Sequence, residues 1–332
     1  MDLSILIVSY NTKVYLQRCI ESIFKSQTQF TYEVVVVDNN STDGILAGFA
    51  ELPWYSKVRV IQNRYNYGFS VAMNQAYHVS RGRYVMSFNP DAEVFPDTLQ
   101  RAVGYMELNP QVGKIGFATV DGNSRVLPTV VFRKYNQIDL WRIFVAAGEP
   151  VVTNEPRQVD WIFGTGLVIR RAALSAGKLY PENSFLFWEE YDLSRAIKNR
   201  NFEIHVVPSI SITHHASVTF KKSKDRIQWA RLLSHAHEWR VRSQHFGRLN
   251  AILNSFLLLA DNLLIYTGLW LKDKVLQRND ERWNEMIDRF ARFRAGFIVL
   301  FSTPQKRREI NTNAMIFFNH GQKPPYPPIT RD

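Results

Sequence analysis

Three short clusters of carboxylate, amide and hydroxyl side chains each close an apolar run: Ser9-Tyr10-Asn11, Asp38-Asn39-Asn40-Ser41-Thr42-Asp43-Gly44 and Asn89-Pro90-Asp91. An acidic group, Trp188-Glu189-Glu190-Tyr191-Asp192, and a histidine pair, His214-His215, lie further along. Such residues suit two kinds of chemistry. A carboxylate with a neutral imidazole can hold a hard divalent cation that keeps waters and binds phosphate oxygens. A carboxylate beside a bound hydroxyl can take its proton as a general base. Taken singly, each cluster is equally an ordinary turn, because Asn, Asp and Gly favour turns, and acids at a helix start also serve as dipole partners. His235, His237 and His245 read as surface or core histidines, since positions two apart on a helix do not share a face. No Cys/His zinc spacing and no phosphate-binding Gly-x-x-x-x-Gly-Lys loop occurs. Cys19 sits at helical spacing with Leu16, Ile20 and Ile23 and reads as a core filler; as the single cysteine it cannot form an intrachain disulfide.

The elements that carry these clusters alternate. β-rich runs at residues 4–8, 33–37, 58–62 and 84–88 are interleaved with helical periodicity at 14–24 and 71–79. Residues 33–37 are a continuous β-branched run, as expected of a strand buried on both faces of a parallel sheet. Alternation of this kind predicts an α/β, Rossmann-like, mostly parallel central sheet with flanking helices. In such sheets functional side chains gather at the carboxyl ends of the strands. The three polar clusters follow three strands and therefore share one edge.

Set in order, Val8-Ser9-Tyr10-Asn11, Val36 through Gly44, Asn66-Tyr67-Gly68-Phe69 with Asn74, Asn89-Pro90-Asp91, Trp161-Ile162-Phe163-Gly164-Thr165-Gly166 with Arg170-Arg171, Phe187 through Leu193 and His214 resemble the inverting GT-A glycosyltransferases of family 2. The Asn-Pro-Asp form and the tryptophan-acid-acid element are most similar to bacterial rhamnosyltransferases of polysaccharide assembly. The resemblance implies a GT-A fold and inverting sugar transfer from a dTDP- or UDP-linked donor, such as dTDP-rhamnose, to a lipid-linked or growing polysaccharide acceptor. It implies Mg²⁺ or Mn²⁺ held by Asp91, with His214 or its neighbour His215 helping. The family commonly shows Asp-x-Asp where this chain has Asn89, which leaves one direct carboxylate and suggests weaker metal affinity. Asp38 would read a pyrimidine base with Tyr10 packed near it. Ser9, Asn11, Asn66, Gly68, Phe69, Asn74, Asn89, Trp161 and Gly164 would complete the nucleotide-sugar site, with Gly68 supplying a positive φ or a close approach. Glu190 matches the family's base position, where Asp is usual; Glu189, Asp192 and Trp188 would orient it or meet the acceptor. The two departures, Asn89 and Glu190, also fit a GT-A module that binds nucleotide sugar or glycan as a scaffold without turnover.

The chain has 332 residues, 45% hydrophobic and 13% aromatic, which supports one large core with an appendage and excludes a disordered chain. Its net charge of +11 is uneven: 21 Lys and Arg against 20 Asp and Glu through residue 220, then 20 against 10. The expected division is a catalytic domain at 1–220 and a basic, partly apolar helical region at 221–332. Residues 251–271 form a mainly apolar stretch of 21, near the ~20 needed to span a bilayer. Asn254, Asp261 and Gly268, with Ser255 and Asn262, put a polar stripe on it, which favours an interfacial helix or a homo-oligomer contact over a simple span. Basic residues flanking a second apolar stretch at 290–301 favour anionic lipid over nucleic acid. The apolar run at the N-terminus is too short for a signal peptide. The expected location is cytoplasmic, peripheral at the inner face of the cell membrane, and the proline-rich end at 324–328 reads as a frayed terminus.

Overall fold

The computed structural model describes residues 1–120, 126–127, 131–132, 155–162, 164–175, 177–182, 184–215, 224–275 and 280–325. Phe163, the expected boundary near residue 220 and the end beyond residue 325 lie outside them. The first half is built from β1 (Leu3–Ser9), α1 (Lys13–Phe24), β2 (Tyr32–Asp38), α2 (Ile45–Phe49), β3 (Val58–Gln62), α3 (Phe69–Val79), β4 (Tyr84–Phe88), β5 (Ala92–Val94), α4 (Thr98–Leu108) and β6 (Val112–Val120). Short strands β7 (Val126–Leu127), β8 (Val131–Phe132), β9 (Arg157–Gln158) and β10 (Trp161–Ile162) lead to β11 (Gly166–Arg170), α5 (Glu189–Lys198) and the long β12 (Glu203–His214). Four helices follow: α6 (Lys224–His245), α7 (Arg248–Val275), α8 (Asp280–Phe301) and α9 (Pro304–Phe318).

The main sheet runs β3-β2-β1-β4-β11-β6-β12-β5. Pairings from β3 through β4 are parallel, as is β6 with β12, while β11 and β5 run against their neighbours. The sheet is therefore mostly parallel, with two reversed strands that the alternating pattern did not reveal. Alternate residues of β1 enter different cores, as strand geometry requires. Leu3, Ile5 and Ile7 join Leu16, Cys19, Ile20 and Ile23 of α1, whereas Leu6 and Val8 join Ala72, Met73 and Ala76 of α3. Strand β12 runs on through Pro208, where the β6–β12 register shifts between Val207 and Ser211. That bulge lets one strand carry Val206 into the core and still deliver His214 to the sheet edge.

The C-terminal helices pack on one another around Leu233, Val299, Ile310 and Ala314. No helix among the described residues is long and apolar enough to cross a membrane. Two members of the polar stripe of α7, Asn254 and Asn262, are buried, and Asn254 Nδ2 donates to Glu238 Oε1 of α6 at 3.1 Å. Leu249, Leu253, Phe256, Leu263 and Leu264 are exposed, as are Phe290, Phe297 and Phe301 of α8.

Candidate active site

The carboxyl ends of β1, β2 and β4 frame a cavity of about 310 Å³. Its wall takes Val8 and Tyr10 from β1, Asn39 from β2 and Asn89 to Asp91 from β4, with Asn66, Gly68 and Phe69 at the start of α3. Gly164, Thr165 and Glu190 close the far side, with His214 below and the segment Phe185 to Phe187 above.

Asp91 and His214 meet because β5 pairs antiparallel with the end of β12, setting His214 opposite Ala92. His214 Nε2 lies 3.3 Å from Asp91 Oδ1. His215 turns away, its Nε2 being 2.8 Å from Glu93 Oε1; His214 is thus the histidine that faces the cavity. Among the described residues no cluster of three or more Asp, Glu, His or Cys side chains is placed to ligate a metal. A carboxylate and an imidazole side by side form a two-ligand set that fits a divalent cation keeping most of its positions for water and phosphate oxygens.

Glu190 reaches the cavity through strained backbone. Phe187 and Trp188 both have positive φ, 74° and 69°, a conformation costly for bulky side chains. The turn is held by Trp188 stacking on Trp161, centroids 5.4 Å apart, with Tyr191 edge-on to Trp161. Gly164 lies against Glu190 so closely that a Cβ there would strike Oε1 and come within 2.8 Å of Cγ. Gly68 is pinned similarly: its φ is +86°, and a Cβ would sit 2.6 Å from the Phe185 carbonyl oxygen. Burial pushes the Glu190 carboxyl up, against its own amide, the Lys114 ammonium and the Gly164 amide. Glu189, deeper still, is raised well above the carboxylate range by burial and by Glu190's charge.

The model of glycosyl transferase family 2 matches residues 4–148, a stretch that includes Val8, Tyr10, Asn39, Asn66, Gly68, Phe69 and Asn89 to Asp91 of this cavity. The chain carries a family 2 glycosyltransferase domain. It is 24% identical over 232 residues to an uncharacterized glycosyltransferase of Haemophilus influenzae, covering 67% of this chain and 71% of that one. It is 23% identical to the N-acetylglucosaminyl-diphospho-decaprenol L-rhamnosyltransferase of Mycobacterium tuberculosis, covering 64% and 76%. Among solved structures, the mannosyltransferase PcManGT from Pyrobaculum calidifontis, in complex with GDP-Man and Mn²⁺, shares the fold at a TM-score of 0.56. The identity there is 16%, with 90% of this chain and 87% of that one covered.

Several expected site residues of the family 2 domain do not line the cavity but shape it. Asp38 ends β2 beside Ser9 and accepts from the Ser41 amide, and burial raises its carboxyl. Ser9 is buried against Thr12, with 2.8 Å between the hydroxyls. Asn11, itself at positive φ, accepts from the Thr42 amide at 2.7 Å and ties the first two polar turns together. Asn74 is wholly engaged elsewhere: its Oδ1 accepts from the Leu179 and Tyr180 amides and its Nδ2 donates to Tyr180 O, fastening the loop that precedes Phe185. Trp161 and Trp188 buttress the Glu190 turn, Glu189 is buried behind it, and Asp192 is paired with Arg240 of α6 at 2.5 Å.

Three further residues at or beside this cavity escaped the motifs. Lys114 is fully buried on β6, donates to Ser194 Oγ at 2.8 Å and lies 3.4 Å from the Glu190 carbonyl; burial lowers its ammonium to about 7. A lysine inside the apolar run 112–120 was a visible clue. Phe318 and Asn319 come from the far end of α9. Asn319 exchanges hydrogen bonds with the Asn66 backbone, accepting from its amide at 2.7 Å and donating to its carbonyl at 2.9 Å. Phe318 stacks on Phe185 at 5.3 Å, while Tyr10 donates to the Phe318 carbonyl at 3.0 Å. No local pattern links residues so distant in sequence.

Proposed function

We propose that the chain transfers rhamnose, with inversion, from dTDP-rhamnose to a lipid-linked or growing polysaccharide acceptor at the cytoplasmic membrane face. The observation that carries this reading is one small cavity lined together by Asp91, His214 and the buried Glu190. Asp91 and His214 would hold a Mg²⁺ or Mn²⁺ ion, which would supply positive charge for the leaving diphosphate. The acceptor oxygen attacks the anomeric carbon, its proton passes to Glu190, and the carbon–oxygen bond to the diphosphate breaks with its electron pair going to the nucleotide. Burial makes Glu190 a stronger base than an exposed carboxylate, and the Lys114 charge offsets part of that rise. Asp38 and Tyr10 bound the base, with Asn39, Asn66, Gly68 and Asn89 around the diphosphate sugar. The Mycobacterium relative, named for a rhamnosyl transfer to a lipid diphosphate, supports the choice of sugar and acceptor. Mn²⁺ with GDP-Man in the Pyrobaculum enzyme supports the metal.

Residues 1–220 act as the catalytic body. Residues 221–332 serve to dock it, with the exposed leucines and phenylalanines of α7 and α8 laid on anionic lipid. The test is a panel of thymidine and uridine diphosphate sugars with and without Mn²⁺, scored by melting temperature and by nucleoside diphosphate release. A metal-dependent rise with a thymidine sugar and release in the presence of acceptor are expected, since a ligand well above its dissociation constant stabilises by mass action. Binding without release would favour the scaffold role, and no response to any nucleotide sugar would remove the reading.

A further inference from the structure

The first turn of α5 is an unlikely place for a well-directed carboxylate. It carries three acids, Glu189, Glu190 and Asp192. Glu189 and Glu190 are buried, and the Asp192 side chain is only 14% exposed. Acids suit a helix N-terminus, but three of them packed in one turn repel each other. The chain enters this turn through Phe187 and Trp188, both at positive φ, and Trp188 makes no side-chain hydrogen bond to cap the helix. Strained backbone of this kind persists only where the surrounding structure holds it. Nothing within the segment does so, and the hold must come from other elements.

On the cavity side, Gly164 and Lys114 meet Glu190. Two residues further on, a helix has turned about 200°, and Asp192 meets α6 instead. Arg240 Nη2 donates to Asp192 Oδ2 at 2.5 Å, and His245 Nε2 lies 3.5 Å from Oδ1, so both carboxylate oxygens are met from α6. The next residue of α6, Val241, is buried in one cluster with Trp161, Trp188 and Tyr191, with Phe246 packed against it. Tyr191 also packs on the His245 ring, centroids 5.8 Å apart. Helix α6 thus touches the strained residue before Glu189 and the two residues after Glu190. Arg240 is itself steadied, its Nη1 donating to Gln244 at 3.0 Å where it lines a cavity of about 980 Å³ among the C-terminal helices. Its charge also opposes the rise that burial and the neighbouring carboxylates impose on Glu189. The platform behind it is firm, because Leu233 and Ala236 of α6 share a core with Val299 of α8 and Ile310 and Ala314 of α9.

We infer that Arg240 is a positioning residue for sugar transfer: by holding Asp192 from α6 it fixes the first turn of α5 and so aims Glu190 into the donor cavity. The C-terminal helices are then part of the reacting machinery as well as a docking surface. For the role of Glu190 this rests on the transferase reading; for the clamp it rests on the contacts alone. Loss of one member of a largely buried ion pair leaves the other charge unpaired, and a base displaced by about 1 Å loses up to ~100-fold in rate without any loss of donor contacts.

The test pairs steady-state kinetics with hydrogen exchange on the full chain. With dTDP-rhamnose as donor and N-acetylglucosaminyl diphosphate on a farnesyl chain as acceptor, Arg240→Met is expected to lower kcat about 10- to 100-fold and leave the donor KM within about 2-fold. Arg240→Lys, which keeps a cation for the single contact to Oδ2, is expected to recover most of that loss. Asp192→Ala breaks the same contact from the other helix and is the second variant; the double variant is expected to fall no further than the worse single one, as residues acting as a unit do. Exchange of the amides at 187–192 is expected to quicken at least about 10-fold in Arg240→Met and in Asp192→Ala, while β1 and β2 exchange as before. Unchanged kcat in Arg240→Met, a double variant whose losses multiply, or exchange that rises across the whole chain would each overturn the clamp. Exchange does not depend on turnover: a wild-type chain that releases no nucleoside diphosphate counts against the transferase reading, whereas unaltered exchange at 187–192 counts against Arg240.

Discussion

The donor cavity at the sheet edge is lined by groups that satisfy one another, whereas the larger cavity among the helices leaves His237, Arg240 and Ser243 each with an unpaired buried atom. The first is a tight frame in which Asn39, Asn66 and Asn319 bond in a chain and Gly68 and Gly164 allow backbone and carboxylate to touch. The second is loose, cationic and rimmed with phenylalanine. A frame of the first kind suits a ligand of one shape. The helices carry this contrast outward, burying Asn254 and Asn262 and exposing Leu253, Leu263 and Leu264.

Breaking the tight frame at its reactive group should have the largest effect. Glu190→Gln keeps the shape but cannot take a proton, so transfer should fall about 10²- to 10⁴-fold while nucleotide affinity measured by titration is unchanged. Next in size is Asn319→Ala, which strips two buried hydrogen bonds from Asn66. At about 1–3 kcal/mol for buried groups left unpaired, the donor KM should rise roughly 10-fold with a smaller change in kcat. An unchanged KM would separate α9 from the donor site. Lys114→Met sharpens the electrostatic side. Lys114 lowers the Glu190 carboxyl that burial raises, so without it the acid limb of the kcat/KM profile should move to higher pH, activity being lost as pH falls through the carboxyl's pKa. A shift to lower pH, or none, would contradict the pairing. The smallest effect on chemistry belongs to Leu264→Glu on the exposed face. Sedimentation with anionic vesicles should drop while turnover of soluble donor stays the same.

Much of the sheet could be read in advance because buried parallel strands are written as short apolar runs, β-branched at residues 33–37 and aromatic-rich at 84–88, which needed no partner to be recognised. The polar turns were legible for the same reason: each stands where such a run stops. His214 was harder. It faces Asp91 only because β5 folds back on β12, a reversal that alternation of strands and helices does not encode. Asn74 fitted a donor-site loop by its place in the order, yet it is turned into the protein to hold Leu179 and Tyr180, because a buried amide goes to whichever backbone groups lack partners. The stripe of α7 was visible, but its direction was not. A seven-residue polar repeat says that one face differs and leaves open which face meets protein. Phe318 and Asn319 lie beyond any spacing argument, since their role depends on four helices returning the chain to its first turn.

The central claim is that one cavity binds the nucleotide sugar's diphosphate through a cation on Asp91 and His214, with Glu190 opposite. The most direct measurement is the anomalous scattering of Mn²⁺ in crystals grown with a thymidine diphosphate sugar. A peak bridging Asp91 and His214, with the sugar's anomeric carbon turned toward Glu190, is the predicted result. A peak elsewhere, or a donor bound with its sugar away from Glu190, would contradict it.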